Sequence, residues 1–270
     1  MPLAFSMKHP KIPLFEFLEA PAPPQNPMAH YERSETHVTL GIPRLGSIRV
    51  THHSITVMAP DFQKCEDIRD RIGEWAQAQW YAAQGYRVMR GAAVAIHDTA
   101  VVILGDQRCG ASSLAYCLSQ RGWGLISDGL VIIDDAGIVQ ATADAVTIDA
   151  NSAIAETPGS SRTKLKTARE RIRIETNGHA EASIGHYVFV GVSRREGDLI
   201  LNPISLDSNT ELALESLRFQ PLLTPTKSVA PISPGKAWLM ARPIAGVDLT
   251  PFMPPELAAA LMVTLTERLV

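Results

Sequence analysis

Ala100-Val101-Val102-Ile103-Leu104-Gly105-Asp106-Gln107-Arg108-Cys109-Gly110-Ala111-Ser112-Ser113-Leu114 is the stretch on which the fold turns. Ala100–Leu104 is an unbroken apolar run of strand length, as expected of a strand covered on both faces. Gly105 and Gly110 bound a short loop, and Leu114, Cys117 and Leu118 then recur at helical spacing as far as Gln120, where Gly122 stops the helix. The loop has the frame of a phosphate-binding turn: two glycines five apart, then a hydroxyl residue at Ser112. In the complete motif backbone amides cradle the phosphates, a Lys neutralises them, and the Ser or Thr holds magnesium, all over the positive end of a helix. Here the Lys position is Ala111. Two glycines at this spacing also suit a plain strand-to-helix turn.

Working outward, Val88–Ile96 reads as a second apolar strand that turns at His97-Asp98, and Trp123–Ser127 and Leu130–Asp134 are again strand-like. Buried strand, glycine-bounded loop, helix and buried strand together spell an α/β fold. Upstream, His37–Ile42, Ser47–Thr51 and Ser54–Met58 predict a small antiparallel sheet. Asp61 stands at an N-cap position, and Cys65, Ile68, Ile72, Trp75, Ala76, Trp80 and Ala83 mark one face of a helix that Gly85 ends. Residues 1–35 hold prolines at 10, 13, 21, 23, 24 and 27 and read as an irregular arm. Downstream, Glu156–Lys166 reads as a loop, Arg171–Glu175, Gly185–Ser193, Asp198–Leu201 and Ala237–Pro243 as strands, and Gln220–Gly235 as a linker. Helices are expected from Asp207 or Ser208 to Phe219 and from Pro254 to Leu269. The expected organisation is an arm (1–35), a β segment with one helix (36–86), a P-loop domain (87–250) and a C-terminal helix (251–270).

Composition narrows the function. The 270 residues carry 25 Lys plus Arg against 28 Asp plus Glu, a net charge of −3, which argues against a nucleic-acid binder. No apolar run approaches the roughly 20 residues of a membrane helix. Lys8, His9 and Pro10 interrupt any apolar signal core, so a cytoplasmic protein without membrane association is expected. Three cysteines make no disulfide framework, and the dispersed histidines show no metal spacing.

From Gly91 to Ile133 the chain resembles the catalytic domain of HPr kinase/phosphorylase and its serine-kinase relatives. The resemblance rests on Arg90-Gly91, Ala100–Leu104, Gly105–Ser112, Arg121-Gly122 and Ser127-Asp128-Gly129, each at the family's spacing. It implies an α/β fold of the HPr kinase and PEP carboxykinase type, a mixed β core with helices, preceded here by the small β-rich segment. It also implies nucleotide binding at Gly105, Asp106, Gln107, Arg108, Cys109, Gly110, Ala111, Ser112 and Ser113. By the same resemblance ATP or another nucleotide is the donor, magnesium is held by Ser112 and Asp128, and Asp128 is the general base towards the serine of a protein or peptide. Some relatives form hexamers, so a homo-oligomer is compatible with it.

The chain departs from the family at three places together: Ala111 for the P-loop Lys, Gly129 for the second acid, and Arg90 for the His of the His-Gly step. Phosphoryl transfer depends on positioning and charge neutralisation, and such groups are worth on the order of a thousandfold in rate. An ATP-dependent serine kinase of reduced activity, or a pseudokinase, is therefore the expectation, with Arg90, Arg162 and Lys164 as compensating cations. The alternative is a non-catalytic binding or scaffolding protein that keeps only the fold.

Overall fold

A computed structural model of the chain describes residues 15–20, 30–105, 110–143, 145–149, 162–165, 171–176, 178–179, 181–193, 200–204, 218–226 and 236–243. Two compact units divide the chain: residues 1–85 with 220–228, and residues 86–219 with 229–270.

In the first unit, strands β1 (Phe15–Glu19), β2 (His30–Arg33), β3 (His37–Ile42), β4 (Gly46–Thr51) and β5 (Ile55–Ala59) lie in the order β1-β5-β4-β3-β2. Strands β2 to β5 pair antiparallel, whereas β1 runs parallel to β5. Alternation along β4 and β5 turns Ile48, Val50, Ile55 and Val57 inward. Helix α1 (Phe62–Ala83) covers β4 and β5 and buries Ile68, Ala76 and Ala83 on the apolar stripe expected from the sequence. Its cap is the expected one: the Lys64 N–H donates to Asp61 Oδ1 at 2.8 Å. At the far end Gly85 adopts φ +90°, a left-handed conformation that reverses the chain.

The second unit holds β6 (Arg87–Ile96), β7 (Thr99–Gly105), helix α2 (Ala111–Ser119), β8 (Gly124–Ile133), β9 (Ile138–Gln140), β10 (Ala145–Asp149), β11 (Arg162–Leu165), β12 (Arg171–Glu175), β13 (Glu181–Ser193), β14 (Ile200–Ile204) and β15 (Lys236–Pro243). Seven strands form one sheet in the order β14-β15-β13-β7-β6-β8-β9, and β10-β12-β11 form a second, antiparallel one. Strand β9 also pairs with the start of β13, so the run from β13 to β9 closes on itself. This closure explains the double burial of β7. Ala100, Val102 and Leu104 join a core with Met89, Ala93, Val131 and Tyr187, while Val101 and Ile103 face the opposite core with Leu114, Leu118, Trp123, Val146 and Ile174. Both the first sheet and the seven-stranded sheet are mixed, and the fold is mixed α/β with two helices among the described residues.

Several expectations need correction. The proline-rich arm contributes two strands, because β5 supplies a paired edge for Phe15–Glu19 and the Phe15 ring lies beside Gly73 of α1. The loop expected over Glu156–Lys166 contains β11, a short polar edge strand whose partner is β12. Trp123–Ser127 and Leu130–Asp134 are not two strands but one, β8, which passes through Gly129 at φ +83°. The strand expected at Asp198–Leu201 runs over Ile200–Ile204, with Pro203 tolerated on a sheet edge. Part of the expected linker, 220–226, packs in the first unit. The closing helix over 254–269, the 207–217 stretch of the other expected helix, and residues 1–14 and 21–29 of the arm lie outside the described residues.

Candidate functional site

Strand β7 ends at Gly105, and the chain re-enters the described residues at Gly110, which caps α2 at φ +95°. Only a residue without Cβ takes that conformation at little cost, so Gly110 lets the chain turn directly into the helix. Asp106, Gln107, Arg108 and Cys109 lie outside the described residues. Ala111 opens α2, and Ser112 and Ser113 occupy its first turn, all three half-buried. Among the described residues no side chain caps this end, where the backbone N–H groups form the positive end of the helix. Burial of Leu114, Ala115, Tyr116, Cys117 and Leu118 fixes the helix against the sheet.

Register places the other residues. Strand β6 pairs antiparallel with both β7 and β8, so β7 and β8 run the same way. Ala92 pairs with Ile103 on one side and Asp128 on the other. Residues paired across strands share a face, and Ala92 and Ile103 face α2, so Asp128 lies on the helix side, about 10 Å from Ile103 across two strand spacings. Its Oδ2 accepts the Thr147 N–H of β10 at 2.7 Å. This bond ties the three-stranded sheet to the seven-stranded one and holds the carboxylate in place. Thr147 carries no signal in the sequence, because the group that acts is a backbone amide.

Gly91 pairs with Leu104 and Gly129, and Arg90 pairs with Leu130. Arg90 therefore stands one residue past the Gly91–Leu104 pair, level with Gly105 at the end of β7. It is exposed, whereas its neighbours along β6 are buried. Gly91 has no room for a side chain: an added Cβ would lie 2.2 Å from the Ile103 carbonyl oxygen. Gly129 has a left-handed backbone, at φ +83°, which a residue without Cβ adopts at little cost.

The basic segment sits farther away. Arg162 pairs with Ile174 and Lys164 with Ile172, so β12 separates both from β10. Asp128 and Arg90 are thus brought to adjacent rows of one sheet face, while Arg162 and Lys164 lie on the far strand of the second sheet. Burial pushes the Cys117 thiol up to about 11, only partly offset by the Arg121 charge, so it stays protonated near neutral pH. Among the described residues no group of three or more His, Cys, Asp or Glu could hold a metal ion, and no helix is long and apolar enough to cross a membrane.

No family model matches the chain, and no curated protein matches it in sequence. Among solved structures the chain is similar to the Hpr(Ser) kinase/phosphatase from Coxiella burnetii, at 10% identity and a TM-score of 0.33, over 67% of this chain and 93% of that one.

Proposed function

We propose that this chain is a divergent HPr-serine-kinase-like protein that binds the phosphates of a nucleotide over the end of β7 and has lost most of its capacity for phosphoryl transfer. One observation carries this reading: Asp128 is fixed by the Thr147 N–H on the helix side of the sheet, in register with Ile103 two residues before Gly105. A carboxylate held there, beside a strand–glycine loop–helix unit, suits metal-assisted phosphate binding at the carboxyl ends of parallel strands. Ser112 and Asp128 would hold magnesium, which usually takes one or two protein oxygens and completes its shell with water and phosphate. Bound there, magnesium would neutralise phosphate charge.

Arg90 is the cation best placed to replace the missing Lys. Its guanidinium is always charged and suits two phosphate oxygens at once. It arises from the strand next to β7, whereas Arg162 and Lys164 belong to the far edge of the second sheet. If transfer persists, Asp128 accepts the proton of a serine hydroxyl on a protein or peptide.

Titration calorimetry with ATP and ADP, with and without magnesium, tests the reading. The expected result is a Kd on the order of 10–100 μM for the wild type, roughly tenfold weaker binding for Arg90→Gln, and loss of the magnesium dependence in Asp128→Asn. No heat with either nucleotide at about 1 mM would overturn nucleotide binding and leave a protein that keeps only the fold.

A further inference from the structure

Residues 220–226 are a strap. The chain leaves the second unit after Phe219, whose N–H donates to the Val88 carbonyl at 2.8 Å, seats itself on the first unit, and returns to the second unit from Val229. The seat is built around a glutamine. Gln79 on α1 is only 2% exposed, and both ends of its amide address the strap: Oε1 accepts the Leu222 N–H at 2.8 Å, and Nε2 donates to the Gln220 carbonyl at 3.4 Å. Farther along, His52 Nε2 donates to the Thr224 carbonyl at 2.8 Å, and Gln84 steadies that histidine by donating to its carbonyl at 2.6 Å. The Ala83 carbonyl accepts the Thr226 N–H at 2.8 Å.

Nearly all of this recognition is directed at backbone. Leu223 is the one fully buried strap side chain; Gln220, Thr224 and Thr226 are exposed, and Pro221, Leu222 and Pro225 are half-buried. Such a seat reads a main chain that bends at Leu222 and Leu223 around a leucine anchor, and its two prolines, each with a fixed φ, lower the entropic cost of holding that shape. A buried glutamine that spends both amide atoms on another segment's backbone is a device of peptide recognition, because an empty seat would leave those atoms unpaired.

We propose that the face of α1 around Gln79 is a recognition site for a bent segment in which a leucine is flanked two residues on either side by proline, and that 220–226 is its built-in occupant. A partner protein presenting that sequence pattern competes with the strap. The proposal is independent of the nucleotide reading, since none of these residues belongs to the site on β7 and α2.

The test is a labelled synthetic peptide of the sequence Gln220–Thr226, followed by fluorescence anisotropy. Leu223→Asp, which disables the strap and leaves the seat intact, is expected to bind the peptide at least about tenfold more tightly than the wild type, and adding Gln79→Ala to that variant is expected to remove the gain. A folded Leu223→Asp variant with no gain in affinity, or a gain indifferent to Gln79→Ala, overturns the proposal. Should Leu223→Asp fail to fold, hydrogen exchange on the wild type decides. Excess peptide is expected to speed exchange of the Leu222 and Thr226 amides about tenfold, and unchanged rates overturn it.

Discussion

Gly91 shows what single residues contribute. It sits on the central strand β6, between Leu104 and Gly129, where the β7 backbone passes too close for any side chain. Gly91→Ala is therefore expected to lower stability by several kcal/mol or to prevent folding, since the obstacle is a backbone carbonyl and not the end of a flexible side chain. Urea unfolding of the variant checks this; an effect below about 1 kcal/mol would contradict the close approach. The other glycine of that pairing row, Gly129, owes its place to backbone conformation. Its backbone is left-handed, at φ +83°, a conformation that suits glycine.

Among elements, those with a strong local signal were legible. Asp61 predicted its helix and caps it, Gly85 ends it, and the apolar runs at Val88–Ile96 and Ala100–Leu104 are β6 and β7. Elements whose stability comes from a neighbour were not. Phe15–Glu19 lies among prolines and becomes a strand only because β5 offers an edge, and Arg162–Leu165 has neither alternation nor length to reveal β11. The site divides the same way. The loop glycines could be named from spacing and Asp128 only through the resemblance, but not the Thr147 amide that holds Asp128 or the row that sets Arg90 beside Gly105. Helix α2 carries a prediction of its own through Cys117. Its thiol ionises near 9 when unfolded and at about 11 when folded. Below the first value both states keep the proton; between the two, only the folded state does. Stability is therefore expected to fall as pH rises from about 9 to 11, by roughly 2–3 kcal/mol for this group. Comparing Cys117→Ala with the wild type by denaturant unfolding at pH 8 and pH 10.5 isolates it: the gap between them should narrow at the higher pH, and a constant gap would refute it.

At the scale of the molecule, the first unit draws its structure from two distant parts of the sequence. Leu223 fills a buried place in it, and the Gln79 amide is paired with the backbone of residues 220 and 222. A fragment ending at Gly85 is therefore expected to be less stable than the same unit in the full chain. The loss should be on the order of 2–5 kcal/mol, from an empty apolar site and an unpaired buried amide. Adding the strap peptide should raise its melting temperature, and circular dichroism of α1 follows both effects. A fragment as stable as the intact unit would show the strap to be incidental.

The same threading imposes a schedule on biosynthesis. Residues 1–85 leave the ribosome first, yet the piece that completes them is translated more than a hundred codons later. At 5–20 residues per second that delay is roughly 7–30 s. During it the Gln79 amide and the place that Leu223 fills lack their partners, a window in which chaperones, rather than the protein's own packing, must keep the emerging polypeptide out of trouble.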